Sequence, residues 1–263
     1  MSDCPARPLT GRHILITRPV EQAAPFVARV RELGGEAICL PTITIVPPPS
    51  LQPLDQAVVD LDRYDIVILT SVNAVRVLIE RMLENHQYFG VLRQLELVAV
   101  GPKTAAALEE YKLRATLVPA DHRAEGVLAA LLARGVTGKK ILYPRAAAAR
   151  PLLATELRAA GALVDDPVAY QAVIPAENTA RIRALLAAGT LDAICFSSSS
   201  TFLHLQEMLG DELQRLKGRT AFFSIGPQTS ATIRAQGFEV TLEPSAWTMD
   251  ALLAAMVAYY RTQ

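Results

Sequence analysis

Cysteine is scarce in this chain. Cys4, Cys39 and Cys195 are the only three, an odd number without C-x-x-C spacing, so neither a disulfide framework nor a thiolate zinc site is indicated. They read as buried or incidental thiols. Histidine is equally thin: His13, His86, His122 and His204 are scattered, none at the i, i+4 spacing of a helical metal pair, and no metal is expected. No apolar run reaches the roughly 18–20 residues that a membrane span requires. Residues Met1 to Gly11 are polar and proline-containing, without the apolar stretch of a signal peptide, so a cytoplasmic location off the membrane is expected. A surplus of charge is missing too, since 26 Lys and Arg balance 26 Asp and Glu. Without a basic surface, nucleic acid is not an expected partner, and any anion site must be local.

Nucleotide loops are also absent. Val100-Gly-Pro-Lys-Thr104 and Ile225-Gly-Pro-Gln-Thr229 lack the Walker spacing, and no G-x-G-x-x-G follows the first strand-like run, which disfavours nucleotide cofactors. No serine sits in a G-x-S-x-G elbow, which weakens hydrolase readings. No coiled-coil heptad is visible, so a monomer is expected.

What is present is a long chain of 263 residues, 51% hydrophobic and 20% charged, with material for about two domains. Strand-like apolar runs fall at 13–17, 37–40, 66–69, 97–100, 140–143, 193–196 and 221–225. They scarcely alternate, as parallel strands covered on both faces should not. Stretches of helical period lie between them, such as Val72, Val75, Leu78, Ile79, Met82 and Leu83. Strands alternating with helices imply βαβ units and a mainly parallel sheet.

The rhythm also repeats. Ile141 stands 127 residues after Ile14, and the same offset links Arg18 to Arg145, Gly34 to Gly161 and Asp65 to Asp192. The two Gly-Pro-x-Thr runs are 125 apart. Similarity of any two α/β domains explains the rhythm but not these residues in this order. An internal duplication is expected, giving two similar parallel-sheet lobes of Rossmann or flavodoxin-like kind with a cleft between them. Two proline-bounded extended segments, around 41–47 and 166–175, are expected to pair as a two-stranded connector.

Polar residues gather directly after strands and before helices: Thr17-Arg18, Thr70-Ser71, Gly101, Lys103 and Thr104, Arg145, Ser197 to Thr201, and Gly226 to Thr229. Such junctions present unpaired N–H groups at the positive end of a helix dipole, and small residues let an anion approach. For any one Ser or Thr taken alone, helix capping is the preferred reading; for the five consecutive hydroxylated residues, which exceed what one cap needs, capping and binding both stay open. Tyr170, on the second extended segment, either points into the cleft as a donor or packs as a β-former.

In order, Ile-Leu-Ile-Thr-Arg-Pro19, Leu-Gly-Gly35, Asp65-Ile-Val-Ile-Leu-Thr-Ser71 with Asn73-Ala-Val75, Ala99-Val-Gly-Pro-Lys-Thr-Ala105, Lys139-Lys-Ile-Leu-Tyr-Pro-Arg145, Val168-Ala-Tyr-Gln171, Phe196-Ser and Ser224-Ile-Gly-Pro-Gln-Thr229 resemble uroporphyrinogen-III synthases over almost the whole chain. The resemblance implies a hydro-lyase of tetrapyrrole (haem) biosynthesis that closes hydroxymethylbilane, a linear polycarboxylate, with inversion of ring D and loss of water. It implies no cofactor, and transient contact with the enzyme of the preceding step. It also implies discontinuous lobes, 1–40 with 175–263 and 47–166, joined by connector strands at 41–46 and 167–174; the repeats alone would place one cut near Gly135. Carried over by match, Tyr170 is the proton donor or orienting group for the leaving hydroxyl, and Ser71, Ser197 and Thr229 are polar cleft positions. Lys103 and Thr104, with Gly101, form the corresponding junction of the other lobe, and Ser198 belongs to the serine run. Arg18 and Arg145 either bind substrate or, by repeat symmetry, sit in structural ion pairs. The alternative is a non-enzymatic two-lobed binding or sensor protein for a small anionic metabolite, in which the same junctions bind and nothing reacts.

Overall fold

Each apolar run read as a strand is one, its ends displaced by at most one residue. The computed structural model describes residues 7–263, so Cys4 lies outside the described residues. In chain order the elements are β1 (His13–Ile16), α1 (Val20–Glu32), β2 (Glu36–Cys39), β3 (Thr44–Val46), α2 (Gln52–Val59), β4 (Ile66–Leu69), α3 (Val72–Glu84), β5 (Glu96–Ala99), α4 (Pro102–Glu109), α5 (Ala124–Arg134) and β6 (Lys140–Leu142). They continue as β7 (Arg145–Ala146), α6 (Leu152–Ala159), β8 (Leu163–Asp165), β9 (Val168–Val173), α7 (Ala176–Ala188), β10 (Ala193–Phe196), α8 (Ser199–Leu209), β11 (Ala221–Ser224), α9 (Pro227–Ala235) and α10 (Met249–Arg261). The chain divides into two units, one comprising residues up to Thr44 with Val173–Gln263, the other Ile45–Ala172.

The first unit holds a parallel sheet of order β11-β10-β1-β2, and the second a parallel sheet of order β5-β4-β6-β8. The apolar runs fail to alternate because both faces of each sheet are apolar. Along β4, Val67 and Leu69 enter a cluster with Leu54, Val75 and Met82, whereas Ile66 and Ile68 enter another with Val127, Leu131 and Leu157. Along β1, Ile14 and Ile16 face Phe26, Val30 and Met256, while Leu15 faces Phe196, Phe202 and Leu205. Each such side chain, fully withdrawn from water, stabilises the fold by about 1.5–3 kcal/mol. On α3, Leu83 falls outside the buried stripe and is exposed.

A third sheet has order β3-β9-β7. The extended segments around 41–47 and 166–175 are neighbours in it, as β3 and β9, but the sheet has a third strand: β7 joins β9 in parallel through Arg145 and Ala146. Two residues carry no periodicity, so nothing in the sequence marks this strand.

Local bonding recurs at the sequence offsets. Asp65 accepts the backbone N–H of Lys140 at 2.8 Å, and Asp192 accepts that of His13 at 2.8 Å. Lys139 and Arg12 reach the same carboxylates at 3.0 and 3.1 Å. The N–H of Ala99 donates to Leu117 O at 2.9 Å, as Ser224 does to Leu242 O at 2.9 Å. Gly34 and Gly161 end their helices at φ +88° and +87°, backbone that glycine adopts without a Cβ penalty.

Candidate active site

Parallel neighbouring strands bring their carboxyl ends to one edge of a sheet, and the helices that follow begin there. In the second unit this edge carries Ser71 after β4, Gly101 to Thr104 after β5 and Arg145 after β6. Ser71 caps α3: its Oγ accepts the N–H of Ala74 at 3.0 Å. The same oxygen lies 2.9 Å from the hydroxyl of Tyr170, brought in by β9. The ring of Tyr170 is buried in the core cluster beside Ala169 and only its hydroxyl meets the polar edge, so packing and hydrogen bonding are both served by one side chain. A Ser hydroxyl that accepts from a backbone N–H retains its own proton. Ser71 can therefore donate to Tyr170, leaving the phenol proton free to be donated onward.

Tyr143, at the end of β6, lies in the same neighbourhood. Burial pushes its phenol up, opposed by a hydrogen bond with Thr70 and by the charge of Arg145. Arg145 is half-buried, with Nε 2.8 Å from Asp166, and Arg158 binds the other oxygen of that carboxylate. Burial would raise the Asp166 carboxyl, but the hydrogen bonds from Arg158 and Arg145 outweigh it and hold the group below its ordinary value. Arg145 is thus committed to a structural pair. Gly101 is the N-cap residue of α4, yet its open side is occupied: a Cβ there would lie 3.2 Å from the ring of His122. Its smallness leaves room for the His122 side chain. Thr104 is buried on the first turn of α4 and does not cap it, and Lys103 is exposed.

The first unit carries the corresponding edge. Ser198, 127 residues after Ser71, caps α8 by accepting the N–H of Thr201 at 3.4 Å. Ser197 makes no side-chain hydrogen bond among the described residues, so within the serine run the cap falls on Ser198. Thr229, like Thr104, is a buried residue of the first helical turn; Gly226 occupies the cap, so the capping explanation does not hold for Thr229. Ser197 to Ser200, Ile225 to Thr229 and Trp247 line a hollow of about 580 Å³. A larger hollow, about 690 Å³, lies by Arg12, Asp192 and Tyr260 at the amino ends of these strands and contains none of the predicted site residues.

Arg18 departs from its repeat partner. Its Nη2 donates to Gln22 at 3.0 Å, its Nε is buried without a hydrogen-bond partner, and it joins none of the ion pairs among the described residues. Cys39 explains the difference: it stands 127 residues before Asp166 and donates its thiol to the Arg18 carbonyl at 3.8 Å. Where the second unit has a carboxylate to neutralise its arginine, the first has a thiol. Of the two readings left open for these arginines, an ion pair is found for Arg145, with Asp166, and none for Arg18 among the described residues. Tyr143, His122, Asp166 and Trp247 were not singled out in the sequence, although the 125-residue offset that relates the two Gly-Pro-x-Thr runs also relates His122 to Trp247.

Comparison with known proteins gives the geometry a family. A model described as uroporphyrinogen-III synthase HemD matches residues 24–254. A uroporphyrinogen-III synthase of Synechococcus elongatus is 32% identical over 261 residues, covering 97% of this chain and 98% of that protein; one from Chlorobaculum parvum is 27% identical over 233 residues, covering 88% and 92%. A crystal structure of a mutant uroporphyrinogen III synthase from Thermus thermophilus superposes with a TM-score of 0.63 at 20% identity, covering 96% of this chain and 100% of that one. The synthetase from Helicobacter pylori gives 0.53 at 16%, covering 94% and 99%. These structures share its α/β fold with parallel sheets. Among the described residues no helix is long and apolar enough to cross a membrane. With a family model spanning most of its length and a relative 32% identical from end to end, this chain belongs to the uroporphyrinogen-III synthase family, enzymes of porphyrin biosynthesis.

Proposed function

We propose that this protein closes hydroxymethylbilane to uroporphyrinogen III, inverting ring D and expelling water, with Tyr170 as the group that protonates or orients the departing hydroxyl. The observation that carries this assignment is the 2.9 Å bond between Tyr170 and Ser71 at a strand-to-helix edge. The backbone N–H of Ala74 donates to Ser71, Ser71 donates to Tyr170, and the phenol proton points outward; a chain of bonds aligned this way strengthens each member. As the C–O bond of the hydroxymethyl group breaks, the electron pair leaves with oxygen, which takes a proton and departs as water. The pyrrole nitrogen supplies the electrons that replace it, leaving an azafulvene-like cation. Attack on it by the substituted carbon of ring D forms the spiro intermediate; the bond from that carbon to the bridge from ring C then breaks, the bridge carbon bonds instead to the unsubstituted α-carbon of ring D, and that carbon loses its proton, which replaces the one spent on water. The substrate supplies most of this reactivity, so the protein's task is to hold a conformation and assist water's departure.

The acetate and propionate groups of the substrate are assigned to local donors: in the first unit Arg18, Ser197, Ser198 and Thr229, and in the second Ser71, Gly101, Lys103 and Thr104. Arg145 serves by holding Asp166 and the loop after β6. An internal duplication is supported by the recurring strand order and by the paired Asp65 and Asp192 bonds. Strands β3 and β9 are read as the connector, since the divisions at Thr44 and Val173 fall within them. Incubation with freshly generated hydroxymethylbilane, oxidation and separation of the isomers tests the assignment. Type III uroporphyrin is expected; type I alone, as in a blank, overturns it.

A further inference from the structure

Trp247 is the only tryptophan of the chain and stands 69% exposed. A large apolar ring in water calls for a partner, and this one lines the 580 Å³ hollow of the first unit. The ring is seated on Gly226, where a Cβ would lie 2.9 Å from indole Cδ1 and 3.0 Å from Cγ. Gly226 has φ 174°, extended backbone open to any residue. The absence of a side chain is therefore a matter of space for the indole, not of backbone strain. In the second unit His122 occupies the same place over Gly101. The two copies have kept a ring over the glycine but differ in which ring it is.

A second feature of this hollow points to a ligand. Thr229 is 4% exposed, lines the hollow, and its hydroxyl makes no hydrogen bond among the described residues. Although the residue is almost wholly buried, its oxygen is not one of the sealed, unpaired polar atoms, so it keeps a small opening on the hollow and is placed for a group that arrives there. The first turns of α8 and α9 open on the same space, with Ser197 and Ser198 at the entrance. The same hollow is thus lined by an aromatic ring, beside the N-cap of α9, and by hydroxyls and helix N-termini, which favour anions. A flat, electron-rich ring carrying a carboxylate arm fits both.

We propose that Trp247 is a substrate-binding residue, its indole forming the wall on which one pyrrole ring of the tetrapyrrole packs while that ring's carboxylate arm reaches Thr229 and the N-termini of α8 and α9. This rests on the synthase assignment above. His122 presents a smaller and more polar ring, so the corresponding edge of the second unit does not bind a pyrrole this way.

The test uses the full chain with Trp247→Ala and Trp247→Phe, each checked for an unchanged melting temperature. Loss of an aromatic wall should raise KM for hydroxymethylbilane about tenfold in Trp247→Ala with kcat nearly unchanged, and much less in Trp247→Phe, which keeps an aromatic face. In the unmodified protein, saturating uroporphyrinogen III, kept reduced and colourless, should shield the single indole from acrylamide quenching. Unchanged quenching, or a KM in Trp247→Ala equal to that of the unmodified protein, overturns the proposal while type III product still forms. Failure of the unmodified protein to yield type III would instead defeat the synthase assignment on which it rests. Should Trp247→Ala melt early, Trp247→Phe and the quenching measurement decide.

Discussion

Replacing Tyr170 with Phe separates chemistry from stability, because the structure predicts very different sizes for the two losses. The ring remains in its core cluster, so no cavity opens. The hydroxyl's bond to Ser71 is lost, but Ser71 still accepts the Ala74 N–H at 3.0 Å and is itself half-buried, so its proton can turn to water. One such bond contributes about 1 kcal/mol, which in a unit of this size lowers the melting temperature by roughly 2–4 °C. From a native stability of about 5–15 kcal/mol that leaves the protein almost wholly folded. A proton donor at the leaving group, by contrast, accounts for about 10²–10⁴ in rate. Tyr170→Phe should therefore lower kcat by at least about 10², with KM little changed and more type I product, since spontaneous closure competes with the slowed enzyme. Initial rates on fresh hydroxymethylbilane with isomer separation measure the first effect, and calorimetry the second. A kcat indistinguishable from that of the unmodified protein refutes the assignment of Tyr170, whatever the melting shift. If Ser71 acts through Tyr170, adding Ser71→Ala to Tyr170→Phe should cost far less rate than the two separate losses combined.

Arg18→Gln should raise KM by about ten- to a hundredfold, the loss of one or two charge-assisted bonds at about 1.5–3 kcal/mol, with melting hardly altered; Arg145→Gln, which leaves Asp166 with Arg158 alone, should instead lower the melting temperature. Equal effects from both would contradict the distinction drawn from Cys39. The backbone N–H of Lys140, aided by Lys139, holds the Asp65 carboxyl below its ordinary value. A depressed folded value stabilises above the unfolded pKa of about 4 and is lost as pH falls through the folded one. Asp65→Asn should accordingly melt earlier at pH 7 and show a shallower decline between about pH 5 and 2; parallel acid limbs in the two proteins would refute this. Burial pushes the Cys195 thiol up to about 12, so an aromatic disulfide should modify Cys195 only in denaturant, and rapid native modification, mapped by mass spectrometry, would contradict its burial.

The longer strands and the helices were legible because each rests on a local pattern, which the short β7 and β8 lack. The run Asp65-Ile-Val-Ile-Leu can be nothing but a strand covered on both faces, and Gly34 stops α1 because the chain there needs positive φ. The repeat offsets were legible because the same bond at two places calls for the same residue types, as at Asp65 and Asp192. The fate of each junction residue was not. Ser71 and Ser198 cap helices while Ser197 and Thr229 do not, a difference decided by where each helix begins to within one residue.

Sequence by itself determined the α/β class and the parallel sheets, which follow from the periodicity of apolar residues, and the family, which follows from the order of its motifs along the chain. Only the tertiary structure decided that Tyr170 meets Ser71 across 99 positions, that Arg145 is paired with Asp166 while Arg18 joins no ion pair among the described residues, and that a ring lies over each of Gly101 and Gly226. These depend on side chains far apart in the chain arriving within bonding distance, and that distance is set by how helices and strands pack.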